Sequence, residues 1–166
     1  LVKESGCYLF SYGLESASPT VLKSMNKKTQ VPQIIEAIEL ANSLNIGFSG
    51  NFIFGDSAET EDTIQETLRF YFQYCIDNFI FLGDVRPYPG SKLFDDAVQR
   101  GIIRNKEDYY EKIETALYNL TTIPDHTWLA WLRFFQFVEN SGMLIKPTDA
   151  TRYEDEPMTD FIAKYS

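Results

Sequence analysis

Histidine is almost absent from this chain: His126 is the only one among 166 residues. A Ser-His-Asp triad or a histidine-rich metal site therefore has little to draw on. Cysteine is nearly as scarce. Cys7 and Cys75 sit far apart in apolar surroundings, too few for a disulfide framework or a four-thiolate metal site. They read as small buried hydrophobes in a reducing, cytoplasmic setting. No block of Lys or Arg occurs and the formal net charge is −9, which argues against a protein that tracks nucleic-acid phosphates. No apolar run approaches the ~18 residues that a membrane-crossing helix needs.

What is present describes a globular α/β chain. Apolar residues make up 44% and aromatics 15%, enough for a real core and too much for a disordered segment. The opening LVKESGCYLF has no initiator Met and looks like a helix tail with Gly6 at its C′ position. It leads to the expectation of an excised piece of a longer protein. Residues 7–12 (CYLFSY) then read as a strand buried on both faces. Thr29 is placed to cap a helix over residues 30–44, with Pro32 in its first turn and Ile34, Ile38 and Ala41 at helical spacing.

A second strand spans 46–54 (IGFSGNFIF), and Ser57 or Thr60 caps the next helix, whose stripe is Ile64, Leu68, Tyr71, Phe72 and Cys75. A third strand spans 79–85, and Ser91 caps a helix that stops at Gly101. Strands recurring at roughly 35-residue intervals with helices between them predict parallel pairing through right-handed crossovers. After Gly101, residues 108–120 and 124–140 read as aromatic-rich helices and 152–160 as an acidic tail. The expected division is a βα portion over 1–101 and a helical C-terminal extension over 102–166.

Ligands of parallel α/β sheets sit at the carboxyl ends of the strands. The residues of interest are therefore Gly13-Leu14-Glu15-Ser16, Asn51 with Gly55-Asp56-Ser57-Ala58-Glu59, and Arg86-Pro87-Tyr88-Pro89-Gly90-Ser91. Each block has a glycine and a polar or charged group. GDSAET lacks the lysine of a P-loop, and Ser57 is not flanked as a nucleophile elbow. The residues by themselves give an α/β site for a ligand of unknown kind.

The same blocks, with Val21-Leu22-Lys23-Ser24-Met25-Asn26-Lys27 after the first and Glu59-Thr60 closing the second, resemble the radical S-adenosylmethionine (SAM) superfamily. The likeness is to the branch of cobalamin-dependent and anaerobic coproporphyrinogen-oxidase-like enzymes. It implies a partial (βα) TIM-type barrel, with three parallel strands and flanking helices corresponding to its fourth to sixth βα units, followed by an α-helical extension. It implies that Ile53 and Gly55 face the adenine of SAM, and that Glu15 and Asn51 offer acceptors to the ribose hydroxyls. It likewise implies that Lys27 pairs with the methionine carboxylate and that Tyr88 borders the adenine or the substrate.

The family's C-x-x-x-C-x-x-C motif is not in this sequence. The resemblance therefore implies a fragment, inactive alone, whose 4Fe-4S cluster ligands belong upstream, with a cobalamin-binding domain before them in some members. The parent reaction would be reductive cleavage of SAM acting on a small-molecule substrate. Asn51 and Ser57 stand where the family more often has Gly or Asp and Pro. The alternative is a non-catalytic α/β module for a nucleotide or other small ligand. In either case an uncovered first strand is an edge expected to recruit the upstream part of the same polypeptide or a second copy, or to be covered by the C-terminal helices.

Overall fold

The computed structural model describes residues 1–113 and 115–141. The elements run β1 (Leu9–Glu15), α1 (Pro19–Ser24), α2 (Val31–Ser43), β2 (Gly47–Phe54), α3 (Glu61–Tyr74), β3 (Phe79–Asp84), α4 (Lys92–Gln99), α5 (Lys106–Lys112) and α6 (Asp125–Ser141). The strands form one three-stranded sheet in the order β1-β2-β3. Both pairings are parallel, with Gly13 opposite Asn51 and Asn51 opposite Phe81. The chain is thus an α/β protein with a parallel sheet and six helices among the described residues. The acidic tail at 152–160 lies outside them.

Sequence chemistry sets the helix boundaries. Thr60 accepts from Thr63 N at the start of α3 while the Thr63 hydroxyl accepts from Thr60 N, and Glu61 and Asp62 follow in the first turn. Its stripe of Ile64, Leu68, Tyr71, Phe72 and Cys75 is buried as the spacing predicts. Ser91 caps α4 through Phe94 N. The cap of α2 is Gln30 and not Thr29: Gln30 and Gln33 exchange hydrogen bonds across the first turn. The helix expected over 108–120 stops at Lys112. Further on, the Asn119 amide bonds Thr121 N, Ile123 O and Asp125 Oδ1, a local network that competes with helical pairing. Helix α1, after Pro19, was hidden by the glycine and proline around it.

Among the described residues the helices cover only one face of the sheet. Phe48, Phe52 and Phe54 of β2 are buried toward them, as are Ile80 and Leu82 of β3. Alternating positions Ser49, Asn51 and Ile53 are half-open, and Phe79 and Phe81 are 78% and 52% exposed. The first strand is accordingly not buried on both faces. Leu9, Ser11 and Gly13 alternate outward as Phe10, Tyr12 and Leu14 turn toward the core, because β1 is an edge strand with one covered side.

Helix α6 belongs to the same core. Trp128, Trp131, Phe134, Phe135 and Val138 join the cluster built on β2 and α3, and Phe135 stacks on Phe54 at 4.0 Å between ring centroids. A second, smaller cluster of Phe94, Ala97, Ile103, Tyr109 and Leu120 forms around α4 and α5.

Candidate functional site

Because the strands are parallel, their carboxyl ends share one edge of the sheet. At that edge β1 is irregular. Gly13 faces Asn51, yet the next partner of β2, Phe52, faces Glu15, so two residues of β1 oppose one of β2 in a bulge. Glu15 has φ 63, a left-handed conformation uncommon for a side chain of its size. The bulge turns its carboxylate toward Asn51, whose Nδ2 donates to Glu15 Oε2 at 3.1 Å. Lys27 Nζ lies 2.9 Å from Glu15 Oε1 and donates to Gly13 O at 3.4 Å.

Lys27 reaches this position through the end of α1. Asn26 adopts φ 55, Asn26 N donates to Lys23 O, and Lys27 N donates to Leu22 O, which is the Schellman pattern with asparagine as the left-handed residue. A Cβ on Gly13 would come 2.8 Å from Glu15 Oε1 and 3.3 Å from Lys27 Nζ. Glycine there leaves room for the ion pair.

Three residues expected to serve one ligand, Glu15, Lys27 and Asn51, are therefore joined in one hydrogen-bonded cluster. The cluster keeps spare capacity. A carboxylate has about four lone-pair sites and an ammonium three donors. Glu15 can thus still accept from hydroxyls and Lys27 can still donate to an anion. Lys27, Lys23 and Lys28 also line a cleft of about 450 Å³ with Asn26, Thr29 and Gln30. No acidic residue occurs between Glu15 and Glu36, which makes this a locally basic spot on an acidic chain.

Ile53 is half-buried, opposite Gly83, on the same face as Asn51. Gly55 ends β2's run at φ 101, and the space where a Cβ would go lies 2.9 Å from Trp128 Cζ2. On that side the glycine accommodates α6. Tyr88 is 56% exposed and meets Tyr109 edge-on at 6.2 Å. It lies in the loop after β3, and no hydrogen bond joins it to the Glu15 cluster among the described residues.

Sequence reasoning gave Glu59 no role. It is 1% exposed, its Oε2 accepts from Gly55 N at 3.2 Å, and its Oε1 accepts from the Thr63 hydroxyl at 2.6 Å. Burial pushes its pKa from 4.5 up to about 7, the hydrogen bonds from Thr63 and Gly55 pull it down, and Asp56 and Glu66 push it up. The available signal was a glutamate directly before a capping threonine and four residues after a strand-ending glycine.

Glu59 has a consequence for stability. A carboxyl ionising near 4.5 when unfolded and near 7 when folded binds more protons in the folded state between those values. Its contribution is fully present below about pH 4.5 and is lost as pH rises to about 7, on the order of 3 kcal/mol by linkage. Urea titrations at pH 5 and 8 should show this slope in the wild-type chain, and a Glu59→Gln variant should lack it.

The thiols do not constitute a cluster site. Cys7 precedes β1 and Cys75 caps the end of α3, both away from the carboxyl edge, and burial pushes the Cys75 thiol up to about 12. Among the described residues no group of three or more His, Cys, Asp or Glu could hold a metal ion. No helix among them is long and apolar enough to cross a membrane.

No protein-family model matches the chain. Over 102 residues it is 32% identical to an uncharacterized methyltransferase of Pyrococcus horikoshii, covering 61% of this chain and 22% of that protein. It is 37% identical over 101 residues to the bacteriochlorophyllide d C-12(1)-methyltransferase of Chlorobaculum tepidum, covering 60% and 22%. It is 28% identical over 120 residues to the anaerobic magnesium-protoporphyrin IX monomethyl ester cyclase of Cereibacter sphaeroides, covering 72% and 18%. The matched segment thus spans about a fifth of the length of these relatives. Similarity falls on methyltransferases and a cyclase, in agreement with the superfamily resemblance in the sequence.

Proposed function

We propose that this chain is the carboxyl-terminal part of a radical SAM barrel and that its strand-end rim encloses the adenosyl group of SAM. The observation that carries the reading is the union of Glu15, Lys27 and Asn51 at the carboxyl edge of a parallel sheet. In this reading Glu15 and Asn51 accept from the ribose hydroxyls, Lys27 holds the methionine carboxylate by a charge-assisted bond, Ile53 and Gly55 face the adenine, and Tyr88 borders the ring or the substrate. SAM, when bound, supplies an activated sulfonium that can give up a methyl or an adenosyl group. The methyltransferase names of two relatives suit that chemistry.

The cluster that cleaves SAM reductively in this superfamily does not fit the thiols of this chain, so its ligands belong to a preceding segment of the same polypeptide. The open face of the sheet and the free edge of β1, with Tyr8 82% and Phe79 78% exposed, are where the preceding βα units, or a second copy of this chain, would pack.

Calorimetric titration with SAM, adenosine and ATP tests the reading. SAM should bind with a saturable isotherm, and Glu15→Ala or Asn51→Ala should weaken it about tenfold or more, the loss expected when a charged or buried hydrogen-bond partner is removed. ATP binding as tightly as SAM would favour a general nucleotide module. No binding by either would defeat the adenosyl reading.

A further inference from the structure

Arg86 follows the end of β3 and has no part in the adenosyl site. Its guanidinium is anchored twice: Nε lies 3.1 Å from Asp84 Oδ2, and Nη1 donates to Ile113 O at 2.8 Å. The anchors come from β3 and from the end of α5, so the fold fixes the direction of the side chain. A guanidinium carries five N–H donors in a rigid fork, and donors remain beyond those two contacts.

The fork borders a cleft of about 230 Å³. The cleft runs beside β3, the edge strand of the sheet, between that strand, α6 and the segment 116–118. Phe81, Leu117, Leu132 and Phe135 give it apolar walls. The Phe81 ring fills the space where a side chain on Gly83 would stand, so the β3 wall is aromatic. Tyr118 lines the cleft too, and its hydroxyl is buried with no hydrogen-bond partner among the described residues. Such a group normally finds one.

The charged residues that line the cleft are Asp84, Arg86 and Glu139. Asp84 is already paired with Arg86. Glu139 stands about two turns along α6 from Leu132, and burial raises its pKa, which disfavours its charged form. Donors therefore gather at the Arg86 end, and apolar surface leads up to them. That combination suits a carboxylate on an apolar stem, since arginine can grip a carboxylate with two parallel bonds. The volume is below the roughly 300–1,000 Å³ of a pocket that encloses a drug-sized ligand. It fits one arm of a larger molecule.

We propose that this cleft is a second subsite of the rim, in which Arg86 holds the carboxylate of a substrate's apolar arm. Gly83 lines the cleft and is the register partner of Ile53. The nearest walls of the two subsites are thus one strand spacing apart, about 4.8 Å, so an adenosyl group and a substrate could meet there. That a substrate lies beside SAM rests on the function proposed above. The carboxylate subsite rests on the cleft alone.

Butyrate, butylammonium, butanol and inorganic phosphate, each titrated at millimolar concentration into the isotopically labelled chain, test it by amide-resolved NMR. Butyrate should give saturable shifts at Gly83, Leu117 and Arg86, the Arg86 side-chain Nε–H included, and the other three should give much smaller ones. Arg86→Gln should weaken butyrate about tenfold or more, the scale of losing a hydrogen bond to a charged group. Arg86→Lys should recover only part of that, because an ammonium does not reproduce the fork. In both variants SAM affinity and the amide spectrum away from the cleft should be unchanged. Should either variant fail to fold, the comparison of the four probes on the wild type decides. Butylammonium acting as strongly as butyrate would assign the cleft to its carboxyl groups and overturn the proposal. Phosphate or butanol matching butyrate, no saturable shift from butyrate, or a response that survives Arg86→Gln would overturn it as well. If SAM fails to bind while butyrate behaves as expected, the adenosyl reading falls and the carboxylate subsite stands.

Discussion

Trp128→Ala should lower the unfolding free energy by about 3–5 kcal/mol, the range for truncating a large buried aromatic. The indole is 2% exposed, meets Phe135 edge-on at 6.3 Å and lies against Gly55. Phe135 in turn stacks on Phe54 of β2. Trp128 therefore fastens α6 to the carboxyl end of the central strand, and its loss leaves a cavity that neighbouring rings can fill only in part. Urea denaturation should show a lower midpoint at unchanged slope, since the surface exposed on unfolding hardly changes. A loss below about 1 kcal/mol, the scale of an ordinary surface substitution or less, would mean that α6 does not pack as described.

Gly55→Ala should be comparably severe for a different reason. At φ 101 an L side chain is strained, and its Cβ would stand 2.9 Å from Trp128 Cζ2 and 3.3 Å from Val85 Cγ1. Backbone strain contributes about 1–3 kcal/mol and overpacking a similar amount, about 1–3 kcal/mol. The two substitutions share a contact, so they should not add. Removing the indole relieves the clash, and the double variant should be less destabilised than the sum by on the order of 1–2 kcal/mol. Strict additivity would show that the strain lies wholly in the backbone. A tolerated Gly55→Ala would contradict the geometry of the turn.

Much of the fold could be read along the chain because each signal was local. Apolar runs ending in glycine or arginine-proline marked the three strands. Ser57 or Thr60 announced α3, Thr60 being the cap, Ser91 announced α4, and the spacing of Ile64, Leu68 and Tyr71 gave the buried side of α3. What stayed hidden depended on partners distant in sequence. The half-open face of β1 and β2 follows from what packs against the sheet, which strand composition does not encode. The left-handed Glu15 arises from a slip between β1 and β2. The role of Gly55 against α6 needs Trp128, 73 positions downstream by the numbering of the two residues. The end of α5 meets a distant partner as well, Arg86, whose Nη1 donates to Ile113 O. At the site, the three blocks were legible as strand ends, but the bonding of Glu15 to both Lys27 and Asn51 was not.

The central claim is that the loops after Gly13 and Asn51 form one ligand rim for an adenosyl group. Titrating isotopically labelled chain with SAM, and following the backbone amides and the Asn51 side-chain amide, tests it most directly. The account predicts saturable shifts at Gly13, Glu15, Asn51, Ile53 and Gly55, with the Asn51 side chain among the largest. Shifts confined to the opposite edge of the sheet, around Tyr8, Gly47 and Phe79, or no saturable shift at all, would contradict it.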